Sequence, residues 1–171
     1  MPDISPPEVP DPTSDMDLGW TEAPLIPPHH TEQFTDLTTA MGRQDMTAAA
    51  AITEDLEAAF HDEFGPNHPH TLGALAMRAH VALRAGDDLI QALTLHLQVA
   101  ERRHVARATR EETLRAARNA HFVWKKLART DEPMARRTCQ ELLRILPLVG
   151  GEPVFFEETE RIRSAITCPA A

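Results

Sequence analysis

The chain has 171 residues and sets 26 Asp and Glu against 17 Lys and Arg, a net charge of −9, with 42% apolar residues. That length suits one domain with or without a tail, and that apolar fraction suffices for a packed core. No apolar run approaches the ~18 residues of a membrane span, and two cysteines, Cys139 and Cys168, exclude a disulfide framework, so a reducing, cytoplasmic setting is expected.

Residues 1–30 hold eight of the 14 prolines, six acids and no Lys or Arg. Proline fixes φ and lacks the backbone donor, and so few apolar groups cannot offset the entropy of ordering. The segment reads as a disordered acidic tail, neither a signal nor a transit peptide, with an apolar island at Met16, Leu18 and Trp20. His29 and His30 close it and are expected to be solvated.

From Thr31 the pattern turns helical. Phe34, Leu37 and Met41 predict a short helix over 31–41. Asp45 is placed to cap a helix over 46–63, which Gly65-Pro66 ends. A third helix is predicted over 70–85; Gly86 breaks it, and Asp87 or Asp88 caps the next, over 89–104. Thr109 or Thr113 opens a helix to about Arg129, and Asp131 with Pro133 opens another to about Leu146. Pro153 starts a last helix to about Ile166, placed to cap the stack. No convincing strand is present. The predicted class is all-α, with a helical repeat domain over 31–167 and a short tail over 168–171.

The helices recur. Asp45, Asp88 and Asp131 stand 43 residues apart, and so do Ala49, Ala92 and Ala135; Leu56, Val99 and Leu142 follow them, and Ile52 pairs with Leu95. Thr71-Leu72 returns 42 residues later as Thr113-Leu114. A single helix pair cannot bury its apolar face, so about three such pairs are expected to stack as antiparallel hairpins, with small Ala residues at the contacts.

The charge is uneven. Residues 1–64 hold 14 acids and one base, Arg43, whereas residues 102–144 hold 12 bases and five acids. An acidic front and a basic centre can attract each other or a charged partner.

The stretch Phe64-Gly65-Pro66-Asn67-His68-Pro69-His70-Thr71-Leu72 resembles the "GPDHPDTL" opening of kinesin-light-chain-like tetratricopeptide repeats, which are abundant in actinobacterial proteins. Ala79, Leu83, Gly86-Asp87 and Ala92 fit the rest of that 42-residue frame. The match is specific in the middle repeat and looser in the others: the third keeps Asn119 but has His121 where a small residue is usual. The resemblance implies a non-catalytic adaptor or regulator that binds a protein or peptide in a groove lined by the first helix of each pair. By register, that groove takes Gly73, Ala76, Met77, His80, Leu83 and Arg84 from one repeat. The next supplies Arg115, Arg118, Asn119, Phe122, Lys125 and Lys126. Asn119 matches a family position that holds ligand backbone, and Met77 replaces its counterpart.

Helical spacing alone also puts Arg115, Arg118, Phe122 and Lys125 or Lys126 on one face. A basic face with an aromatic suits an acidic peptide or carboxylate. Asp15 to Glu22, with Trp20 among acids, resembles the tryptophan-acidic peptides that such repeats bind, which makes the tail a candidate ligand in cis or from a second copy. The plainer reading is a solubilising tail.

Other chemistry is weaker. His61, His68 and His70 can be drawn together as a zinc set, but the repeat frame gives His68-Pro69 to a turn, and no metal or other cofactor is expected. Glu54, Asp55, Glu57, Asp62 and Glu63 read as an exposed helix flank rather than a catalytic acid pair. No nucleophile elbow, P-loop or dinucleotide fingerprint is present, so no enzyme is expected. Arg102, Arg103, His104, Arg107 and Arg110 form a basic turn whose plain role is a solvated linker. Two alternatives stand beside the adaptor reading. One is an accessory subunit of a metal-dependent enzyme, or such an enzyme itself. The other is a nucleic-acid-binding regulator using residues 102–144.

Overall fold

A computed structural model describes residues 26–149, together with Glu157 and Arg161, which are both helical. The expected acidic tail with Trp20, nearly all of the expected last helix and Cys168 lie outside the described residues.

Six α-helices follow one another: α1 (Thr31–Gly42), α2 (Met46–Phe64), α3 (Pro69–Ala85), α4 (Leu89–Val105), α5 (Arg110–Thr130) and α6 (Glu132–Ile145). A 3-10 turn, Pro28–His30, precedes α1, and another, Leu146–Val149, follows α6. The described chain has no strand. Each helix packs against its neighbours in sequence order, and α4 also meets α6. Short links turn the chain back each time, which gives the all-α stack of helix hairpins expected from the pattern.

The caps explain where the helices start. Asp45 accepts from the Ala48 amide at 3.0 Å, Asp88 from the Ile90 and Gln91 amides at 2.9 Å, and Asp131 from the Met134 amide at 3.0 Å. Each satisfies an amide that the first turn leaves open and faces the positive end of the helix dipole. Asp88, not Asp87, caps α4. Thr109, not Thr113, opens α5, in a capping box with Glu112. His68 caps α3 through Nδ1, which accepts from the His70 amide at 3.2 Å, with Pro69 in the first turn.

The links repeat as well. Gln44 and Gly86 both have positive φ, 58° and 74°, and so do Gly65 and Arg107, 88° and 54°. Each pair is 42 residues apart, so the chain leaves equivalent helices through a positive-φ residue whether or not that residue is glycine.

The buried residues form two clusters. The larger runs from Leu75 to Leu146 through α3, α4, α5 and α6 and is almost wholly aliphatic. The smaller gathers Leu37, Ala40, Ala49, Leu56, Phe60, Ala74 and Val81 from α1, α2 and α3. Ala49, Ala79, Ala92 and Ala135 are buried, as their repeated places require. In α5 the small buried residue is Ala120, while His121 is half-buried and stacks near Trp124. Cys139 is also buried, and desolvation raises its thiol to about 11, so it is a core residue and a poor nucleophile.

Ion pairs join alternate helices. Glu57 of α2 meets Arg102 of α4 at 3.2 Å, and Glu101 of α4 meets Arg144 of α6 at 2.6 Å. Arg78 of α3 adds contacts to Glu54 and Glu57, each at 3.0 Å. Glu54 and Glu57 are thus held by guanidinium groups.

Candidate functional site

The α5 face was expected to be one basic stripe, and the structure divides it by depth. Arg118 and Lys125 are exposed, whereas Asn119, Phe122 and Lys126 are half-buried. Arg115 is only 9% exposed, and its Nη2 donates to Glu111 Oε1 at 3.3 Å. Phe122 packs against the larger core. From α3, Arg84 is exposed, Met77 packs against the smaller core, and His80 is buried. Gly73 and Ala76 are half-buried and Leu83 is core. Helical spacing puts these α5 residues on one side; their depth depends on the helices packed beside α5, which spacing does not encode.

Where those three helices meet, Ala76, His96, Arg103, Arg115 and Asn119 line a narrow cleft of about 10 Å³, room for one water. It brings Arg115, Asn119 and Ala76 together with His96 and Arg103 of α4. His96 is 3% exposed, and its Nε2 is buried with no hydrogen-bond partner among the described residues. Burial, and then the nearby His80, pushes its pKa down to about 3, so the ring is neutral at neutral pH. Burial also lowers the Arg103 pKa, opposed by Glu112, whose backbone carbonyl accepts from Arg103 Nη1 at 3.2 Å. Part of the expected basic turn is thus structural: Arg102 is tied to Glu57 and Arg103 to Glu112.

A larger cleft of about 290 Å³ opens among α2, α3 and α4, beside Met46, Glu54, Arg78, Asp88 and Leu95. None of the expected peptide contacts lines it.

The histidines gather elsewhere than expected. Pro28–His30 folds against the end of α2, and His30 is buried rather than solvated. Both His29 Nε2 and His30 Nε2 face Glu63 Oε2, at 2.9 and 3.3 Å. His30 Nδ1 lies 2.6 Å from Gln33 Oε1. Around them stand Phe60, edge-on to His30, and Phe64, stacked on His68, with His70 packed near both aromatics. The His29 hydrogen bond, aided by His30, holds Glu63 below the usual carboxylate range. Desolvation, then His68, lowers His70. His61, the third member of the expected zinc set, is exposed. The pair His29-His30 carried a signal in its place, directly after Pro27-Pro28 and before the first helix, which the proline-rich composition concealed.

No protein-family model, no curated protein and no solved structure matches the chain. Among the described residues, no helix is long and apolar enough to cross a membrane.

Proposed function

We propose that the chain is a non-catalytic binding module, a cytoplasmic adaptor or regulatory partner that takes an acidic peptide or protein segment on the α5 face. The observation that carries this reading is the pairing of exposed Arg118 and Lys125 with half-buried Asn119, Phe122 and Lys126 on one side of one helix. Exposed cations steer and orient an acidic ligand, a half-buried aromatic supplies apolar contact, and an amide can hold ligand backbone. The likeness of residues 64–72 to a tetratricopeptide opening supports the same reading, as does the surplus of bases over residues 102–144.

The acidic segment with Trp20 fits such a face in charge. Eight residues separate Trp20 from Pro28, where the N-terminal turn begins, at most ~26–29 Å of extended chain. The test is fluorescence anisotropy of a labelled peptide copying residues 15–22, titrated with the full chain and with an R118E/K125E variant. Saturable binding that weakens roughly tenfold in the variant, and weakens with added salt, is expected. No binding, or binding indifferent to both charge reversals, overturns the reading.

A further inference from the structure

The imidazoles of the N-terminal turn pose a problem of proton accounting. A neutral imidazole donates from one nitrogen and accepts at the other. His30 Nδ1 lies 2.6 Å from Gln33 Oε1, and with that oxygen as the acceptor Nδ1 carries the hydrogen. Its Nε2 then turns a lone pair toward Glu63 Oε2 at 3.3 Å, and the same oxygen faces His29 Nε2 at 2.9 Å. Lone pair against carboxylate is repulsive unless a positive charge lies between them. A metal ion held between them would supply that charge.

The geometry favours the ion. The three donor atoms of His29, His30 and Glu63 all lie within 4.8 Å of one another. In a tetrahedral site with bonds of about 2.0–2.1 Å, ligand atoms stand roughly 3.3 Å apart, close to the 2.9 and 3.3 Å separations seen here. Gln33 supplies the outer hydrogen bond that fixes which nitrogen of a ligating imidazole is free, the usual partner of a metal-bound histidine. Phe60 lies edge-on to the His30 ring and walls the inner side, while His29 and Glu63 keep 58% and 38% of their side chains exposed and leave a path for entry. Two neutral imidazoles and one carboxylate suit a borderline-soft divalent ion better than calcium or magnesium, which take oxygen ligands.

We propose that His29, His30 and Glu63 form a three-ligand site for a divalent transition-metal ion of the zinc class, with a fourth position open to solvent. The site joins residues 33 and 34 positions apart in the chain, so the ion ties the turn before α1 to the C-terminal end of α2. It is independent of the α5 face, and each can fail without the other.

The test uses tag-free full chain stripped with a chelator and titrated by calorimetry with zinc chloride alone. Cobalt chloride serves as the coloured reporter of tetrahedral coordination. The variants H29Q and E63Q change exposed groups and leave the core intact; H61Q and H104Q change exposed histidines elsewhere. One equivalent of zinc should bind the wild type, H61Q and H104Q alike, raise their melting temperature, and be released by chelator. H29Q and E63Q should each bind roughly tenfold more weakly or worse, and Q33L, which loses only the outer hydrogen bond, by about tenfold. The proposal is overturned if no saturable binding occurs, or if zinc binds H29Q and E63Q as tightly as the wild type.

Discussion

The links α2–α3 and α4–α5 occupy the same place in successive helix hairpins and use opposite chemistry. At the first, aromatic rings and imidazoles surround one carboxylate, Glu63, and Thr71 of α3 donates back to the Phe60 and Gly65 carbonyls at 3.0 and 2.8 Å. At the second, guanidinium groups and carboxylates take over: Thr109 and Glu112 cap α5, and Arg103 holds the Glu112 carbonyl. The backbone passes both by a positive-φ residue, Gly65 or Arg107. The path of the chain is therefore the repeated quantity. The side chains around it are free to differ, and the cluster of His29, His30 and Glu63 lies at the first link.

The comparison predicts its largest effect in acid. The cleft below the second link holds neutral His96, and no carboxylate lines it, whereas the histidines of the first link stand beside Glu63. The folded pKa of His96, about 3, is below its ordinary 6.5. As pH falls below 6.5 the unfolded chain takes up this proton and the folded chain does not. The contribution is thus complete above about pH 6.5 and is lost as pH falls toward 3, on the order of 3–5 kcal/mol at the limit. Urea unfolding at pH 7, 6, 5 and 4 should show this slope, and H96L should flatten it. H70L should flatten it less, since His70 is lowered but only half-buried. An unchanged slope in H96L would remove His96 from the account.

The next contrast concerns the repeated Thr-Leu pair. Thr71 bridges two helices, but Thr113 donates only to the Thr109 carbonyl of its own first turn, at 3.0 Å, and that carbonyl also accepts from the Thr113 amide. Thr71→Val should cost about 1–2 kcal/mol and Thr113→Val about 0.5 kcal/mol or less, read from urea midpoints. Equal losses would mean that both hydroxyls have the same task.

Such differences mark how far the sequence was legible. Asp45, Asp88 and Asp131 could be placed as caps because a cap is local: a short acceptor, three residues from the amide it serves. Buried Ala49, Ala92 and Ala135 followed from the same spacing. Thr71 and Thr113 looked alike because their difference lies in what α2 and α4 present to them, which spacing does not carry. His29 and His30 were assigned to the tail because eight prolines dominate the local composition, while the contact that orders them is to Glu63, more than 30 residues away. On α5 the spacing did not carry depth: Arg115 is buried in the cleft beside His96 and Arg103 of α4, whereas Arg118 is exposed.

The smallest contrast tests the shared backbone step itself. Gly65 has φ 88° and ψ 168°, a region that side chains essentially forbid. Arg107 has φ 54°, a positive value that a side chain takes at a cost of roughly 1–2 kcal/mol. Gly65→Ala should therefore destabilise by about 1–3 kcal/mol although open space surrounds the added methyl group, with nothing within 4 Å. Arg107→Gly should do the reverse. It relieves the left-handed strain and gives back part of that gain through the greater freedom of glycine in the unfolded chain, for a net gain of a few tenths to ~1 kcal/mol. Arg107 is exposed, so little packing is lost with its side chain. A higher urea midpoint in Arg107→Gly, with an unchanged slope, would show that the second link keeps its positive φ at an energetic cost. A lower midpoint would mean that the Arg107 side chain holds the link together by contacts that outweigh its backbone strain.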